Sequence, residues 1–161
     1  MSDLPVGVRA NPKIPLSVVP ADAQVLVVDK PAGLVTQPGK GHANDTLLNG
    51  VFAHRGGGGT GEPLEKFLRN LGARRDFGLL HRLDKETSGL LIVAKSEVAH
   101  QRLSAAIAAR RVVRRYAAMA WGHLAADTLS VDQPIARDPR DRKRMAIVST
   151  GKNARTDFRR L

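Results

Sequence analysis

The stretch FGLLHRLDKETSGLLIVAK, residues 77 to 95, constrains the fold of this chain more than any other part of it. Two apolar runs of strand length, FGLLHRL and GLLIVAK, bracket the polar DKETS, so the sequence predicts two strands joined by a loop that carries Asp84. Asp84 alone could be an ordinary turn residue, and Thr87, Ser88 and Gly89 are common turn formers. A loop delivered by a rigid sheet is equally where a functional carboxylate would be presented, and here it follows directly on His81 and Arg82.

Other elements follow from similar signals. QVLVVDK, residues 24 to 30, is a Val-rich run that stops at PAG, the pattern of a buried strand ending in a turn. NDTLLNGVFAHR predicts a helix with Asp45 or Asn44 as N-cap and Leu47, Leu48, Val51 and Phe52 at helical spacing. GGGGTG, residues 56 to 61, lacks the Gly-Lys-Ser/Thr of a phosphate loop and reads as a flexible linker. SEVAHQRLSAAIAARR predicts a helix capped by Ser96, with Ala99, Leu103, Ala106 and Ile107 on one face and Arg110 and Arg111 in its last turn. VVRRYAAMAWGHL reads as a strand carrying Tyr116 to one face, and MAIVS and ARTDFRRL as a hairpin joined at TGKN.

The sum is an α+β fold, a mixed and mostly antiparallel sheet with flanking helices. Residues 1 to 15 read as an N-terminal extension and residues 16 to 161 as one domain. That domain stops inside a predicted strand, so the sequence predicts truncation at the C-terminus. A length of 161 residues with 42% hydrophobic content suits a single core.

Charge narrows the partners. With 26 Lys and Arg against 15 Asp and Glu, the formal net charge is +11, which favours a polyanion such as nucleic acid. The chain has no cysteine, which excludes disulfides and thiolate metal sites and makes the cytoplasm the default compartment. The longest aliphatic runs are far too short to span a bilayer, so no membrane role is expected. None of the five histidines shows metal-ligand spacing, so no metal is expected either.

VLVVDKPAGLVTQPG, HRLDKETSGLLIVAK, RRYAAMAWG and RMAIVSTGKNARTDFRRL occur in that order, and together they resemble the RluA-type RNA pseudouridine synthases from about Leu16 to the last residue. The resemblance implies the pseudouridine synthase catalytic-domain fold and an isomerase that converts uridine to pseudouridine within ribosomal or transfer RNA, without a cofactor. It implies that Asp84 is the catalytic aspartate and Tyr116 the aromatic residue beside the target base. It also implies an incomplete catalytic domain, because the family's later motif, which supplies a basic partner to the aspartate, lies beyond Leu161. The oligomeric state is left open.

Residue chemistry is compatible with that assignment. Breaking the N1–C1′ bond calls for a carboxylate near the ribose, acting as nucleophile, as electrostatic partner or as base toward a sugar proton. A stacked uridine must be flipped out first, and the planar guanidinium of Arg82 is the candidate to fill the gap, with a surface ion pair to Asp84 or Glu86 as the plain alternative. His81 is a candidate for a phosphate or backbone hydrogen bond. Lys30 is a candidate to reach phosphate or the catalytic loop. Arg114, Arg115, Arg142 and Lys143 are candidates for contacts to the RNA backbone, which position without reading sequence.

Two rival classes share part of this pattern. A protein kinase would also show His-Arg-Asp, but Leu83 intervenes here and the Asn that should follow is absent. A non-catalytic basic RNA-binding module would carry the same charge and sheet, but it has no use for a carboxylate facing a polyanion.

Overall fold

The computed structural model describes residues 8–54 and 64–161, so the glycine-rich stretch at 56 to 61 lies outside the described residues. The chain divides into two compact units, Met1–Arg114 and Arg115–Leu161.

The first unit is built on a three-stranded antiparallel sheet in the order β1-β2-β3, with β1 at Ser17–Ala21, β2 at Val25–Lys30 and β3 at Gly89–Ala94. Alternation along β2 turns Leu26, Val28 and Lys30 to one buried face, where their partners across the ladder are Val93, Leu91 and Gly89. That face joins a core with Leu47, Leu48, Val51 and Phe52 of helix α1 (Leu47–Ala53) and Leu64 and Leu68 of helix α2 (Leu64–Leu71). Phe52 meets Phe77 edge to face, with ring centroids 5.6 Å apart. Residues 8 to 16 close over α1: Val8 is buried, and Ile14 comes so near Gly50 that a Cβ there would lie 2.9 Å from its Cγ2.

Helix α3 (Glu97–Ala108) starts as expected at Ser96, whose hydroxyl accepts the Ala99 N–H at 3.1 Å. Its end falls earlier than the sequence suggests. Ala109 is the C-cap and Arg110 adopts φ 55°, with Arg110 N–H donating to Ile107 O and Arg111 N–H to Ala106 O. This is a Schellman closure with arginine where glycine is usual, so both arginines lie beyond the last helical turn.

The N-cap of α1 is Thr46, not Asp45 or Asn44. The Asn49 side-chain oxygen accepts from both the Thr46 N–H and the Thr46 hydroxyl, while Asp45 is turned away to His42 at 2.7 Å. FGLLHRL does not form the expected strand. Residues Ala73–Gly78 make a 3-10 segment in which Asp76 and Phe77 have positive φ, and the run meets β3 by a bridge from Leu79 to Val93 and a hydrogen bond from Leu80 N–H to Ile92 O.

The second unit is a three-stranded antiparallel sheet in the order β5-β4-β6, with β4 at Thr128–Arg137, β5 at Met145–Ile147 and β6 at Lys152–Arg159. MAIVS and ARTDFRRL therefore do not pair with each other. Each pairs with β4, which the sequence reading missed, and Ile135 faces Ile147 on one side and Lys152 on the other. The turn between β5 and β6 crosses the β4 backbone so closely that a Cβ on Gly151 would sit 2.6 Å from the Ile135 carbonyl carbon. VVRRYAAMAWGHL forms no strand: it is exposed, and no strand pairs with it among the described residues. Its β-branched and aromatic residues favour a pleated surface, but a strand needs a neighbour to exist.

Candidate active site

The Asp84 loop leaves the core at Leu83, turns at Lys85 and Glu86, and enters β3 at Gly89. Leu83 is buried and holds the near end in the core, whereas Asp84 itself is exposed. No hydrogen bond or ion pair engages the Asp84 carboxylate among the described residues. The loop's backbone, by contrast, is tied at three consecutive carbonyls. The Leu83 carbonyl accepts from the Thr36 hydroxyl at 2.6 Å, the Asp84 carbonyl from the Thr87 N–H at 3.1 Å, and the Lys85 carbonyl from the Gly33 N–H at 2.8 Å and Lys30 Nζ at 3.0 Å.

Of the two places expected for Lys30, phosphate or the catalytic loop, the structure shows the loop. Its relative exposure is 0%, and Nζ donates to three carbonyls, Pro31 at 2.9 Å, Leu34 at 2.8 Å and Lys85 at 3.0 Å. An ammonium has three protons and all of them are used, so Lys30 is not a phosphate contact but the post that joins the PAG turn to the Asp84 loop. Burial lowers its pKa, and the carboxylates of Glu86 and then Asp84 oppose that shift, so the two acidic side chains lie within the field of one enclosed cation.

His81 is half-buried, and burial followed by the charge of Arg114 holds its pKa below the usual histidine value of 6.5. The sign of the resulting pH dependence follows. Above 6.5 the ring is neutral in both folded and unfolded chains. As pH falls from 6.5 toward the folded midpoint, the unfolded chain takes up a proton that the folded chain resists, and stability is withdrawn. A proton NMR titration is expected to give His81 a midpoint below 6.5, and Arg114→Gln should raise it only part of the way, because burial is the larger cause. A midpoint at or above 6.5 in the unaltered protein would contradict this environment.

Arg82 is exposed and makes no ion pair with Asp84 or Glu86 among the described residues. The first unit thus brings together Lys30, His81, Arg82 and Asp84, with Arg114 near His81. Arg115, Tyr116, Arg142 and Lys143 belong to the second unit. Tyr116 is 62% exposed there, not packed in a core. Arg142 and Lys143 are exposed on the loop between β4 and β5, which is closed by Asp138 N–H to Arg144 O and by the Asp141 carboxylate accepting the Lys143 N–H. Sequence reasoning missed Thr36, and it assigned Gly33 to turn shape alone. A lone threonine in GLVTQPG gives little signal, since its partner is a main-chain carbonyl 47 residues away.

Comparison with known proteins defines the class. Residues 24–161 match the family described as RNA pseudouridylate synthase, and the chain belongs to that family. Among similar proteins, the uncharacterized RNA pseudouridine synthase YlyB of Bacillus subtilis is 39% identical over 153 residues, covering 95% of this chain and 47% of that protein. Ribosomal large subunit pseudouridine synthase D of Zymomonas mobilis is 42% identical over 142 residues, covering 88% of this chain and 42% of that protein. The solved structure of human RNA pseudouridylate synthase domain containing 1 superposes with a TM-score of 0.55 at 22% identity, over 95% of this chain and 53% of the human one, a likeness of fold. This chain spans less than half the length of these two bacterial relatives. The RluA-type resemblance of the sequence motifs and the α+β class agree with these matches. Among the described residues no helix is long and apolar enough to cross a membrane.

Proposed function

We propose that the protein isomerises uridine to pseudouridine in RNA, with Asp84 as the carboxylate that acts at the ribose of the target nucleotide. The observation that carries this reading is the contrast at the loop: an exposed carboxylate with no hydrogen bond or ion pair among the described residues, on a backbone whose carbonyls at Leu83, Asp84 and Lys85 are each held. A carboxylate kept only for structure would be engaged by its own hydrogen bonds, as Asp22 is by the N–H groups of Gln24 and Val25. In the reaction the N1–C1′ bond breaks, the base turns, C5 bonds to C1′, the C5 proton leaves and N1 gains one. Atoms and electrons balance without an added cofactor.

Tyr116 is proposed to lie beside the base, and Arg82 to fill the place of the flipped nucleotide, for which its guanidinium, exposed and without an ion pair among the described residues, is available. Arg114, Arg115, Arg142 and Lys143 supply phosphate contacts. Ribosomal RNA is favoured as substrate over transfer RNA because the Zymomonas relative bears the name of a large-subunit enzyme. A chain without cysteine and the bacterial relatives' names favour the cytoplasm as its location.

The test is tritium release from RNA labelled at uracil C5, with large-subunit ribosomal RNA and transfer RNA transcripts compared. Release from either supports the isomerase, whereas tight binding with no release from either supports a basic RNA-binding module instead. Within the isomerase reading, Arg82→Ala is expected to slow turnover by about 100-fold while RNA affinity changes by about threefold or less. Neutralising Arg142 and Lys143 together should weaken binding to every RNA and reduce the salt slope by about 2. If Arg82→Ala behaves like the loop double variant, Arg82 is a phosphate contact and not the plug.

A further inference from the structure

Among the described residues no hydrogen bond or ion pair holds the Asp84 carboxylate, so the backbone on which it stands sets where its Cα–Cβ bond points. Of the bonds that fix that backbone, one comes from a side-chain hydroxyl. Thr36 is 4% exposed, and its Oγ1 donates to the Leu83 carbonyl at 2.6 Å. That carbonyl belongs to the peptide unit joining Leu83 to Asp84. Because the unit is planar, holding its oxygen fixes the plane from which the Asp84 Cα–Cβ bond departs.

Thr36 can serve as a reference because it is itself held. Its carbonyl accepts the Leu48 N–H at 3.0 Å and the neighbouring Val35 carbonyl accepts the Leu47 N–H at 2.8 Å, so the first turn of α1 grips this segment. Leu47 and Leu48 are fully buried in the core. An unbroken path therefore runs from the core helix, through two backbone bonds and one hydroxyl, to the peptide before the carboxylate. Lys30 and Gly33 act one residue after Asp84, at Lys85, and leave the preceding peptide to Thr36.

We infer that Thr36 is a positioning residue for Asp84, its hydroxyl aiming the carboxylate at the ribose by holding the Leu83 carbonyl. This rests on the reading of Asp84 as the reacting group. A polar residue that merely satisfied a buried carbonyl would influence stability, but not turnover selectively. A residue that aims the carboxylate should influence turnover with little change in RNA affinity, since small misplacements of a reacting group are costly.

The experiment compares Thr36→Val, which keeps the shape and loses the hydroxyl, with Thr36→Ser, which keeps the hydroxyl and loses the methyl. In the intact protein, Thr36→Val is expected to lower kcat for tritium release by about 30-fold with KM within about twofold, and Thr36→Ser to stay within about threefold of the unaltered protein. Amide exchange without RNA gives a second readout. The Thr87 N–H, which donates to the Asp84 carbonyl, should exchange faster in Thr36→Val, while the Leu91 and Val93 amides of β3 keep their protection. Unchanged kcat in Thr36→Val, equal losses in Val and Ser, or unchanged Thr87 exchange would each overturn the inference. Should Thr36→Val also loosen β3, Thr36→Ser decides, because a loss of turnover beyond about threefold in a variant that keeps the hydroxyl would contradict the role. Release that persists in Asp84→Asn would remove the reading of Asp84 instead, and Thr87 exchange would still decide whether Thr36 holds the loop.

Discussion

Asp84→Asn is expected to lower tritium release by at least about a thousandfold, the scale found when a reacting group is removed, while RNA affinity stays within about threefold. Two features set this pattern. The side chain is exposed and makes no hydrogen bond or ion pair among the described residues, so the amide fits the same space and disturbs no bond seen there. A carboxylate facing a polyanion is neutral or unfavourable for docking, so losing its charge should not weaken binding and could strengthen it slightly. Asp22→Asn provides the contrast. That carboxylate accepts from Gln24 and Val25 N–H at 2.7 and 2.6 Å, and its replacement should touch the turn before β2 but not the chemistry. Substantial release in Asp84→Asn would mean that the reacting group lies elsewhere.

Lys30→Met is expected to be the most destabilising single change in the site, by about 3 kcal/mol or more in urea unfolding. Methionine replaces the stem almost isosterically, so little packing is lost. What is lost is the donor to three carbonyls, and those belong to the main chain and cannot be mutated away with it. The Lys85 oxygen keeps the Gly33 N–H, but the Pro31 and Leu34 oxygens lose the ammonium of a side chain that is itself fully buried. An unmade bond to a buried acceptor costs more than a made one contributes, which puts this change well above that of an exposed lysine. Lys13→Met, at an exposed position, should lie within about 0.5 kcal/mol of the unaltered protein. Equal stabilities of the two variants would show that the loop does not depend on its lysine post.

Strands β2 and β3 and helix α3 were legible because uninterrupted apolar runs and a well-placed Ser96 leave few alternatives. β1 and β4 were not, and each contains a proline, Pro20 and Pro134, which counts against a strand in any local reading. Both are tolerated for structural reasons. Pro20 lies where the ladder with β2 shifts register, and the Pro134 position contributes its carbonyl to Val148 without needing an N–H. The run from Val112 to Leu124 shows the opposite error, strand-like residues with no neighbouring strand. At the site, the loop bearing Asp84 was legible from the polar gap between two apolar runs. For Lys30 the sequence left phosphate and the loop both open, because a lysine at a strand end is ordinarily solvated and nothing local records that three carbonyls surround it. Side-chain bonds to distant main chain leave almost no trace in composition.

The bond from Lys30 to Lys85 closes a segment of 55 residues, and that from Thr36 to Leu83 one of 47. The loop therefore cannot acquire its shape locally: both closures require β2 and β3 to have met in register, which sets Lys30 opposite Gly89. A slip by one residue would turn Leu26 and Val28 out of the core and carry Lys30 to the wrong face. During folding the carboxylate is present from the moment residue 84 is synthesised, but it gains a direction only when these long-range closures form, which are among the slower events for a chain. Chemistry at this loop would then report whether the first sheet has been assembled correctly, and a chain trapped in the wrong register would carry every proposed reacting group and still be silent.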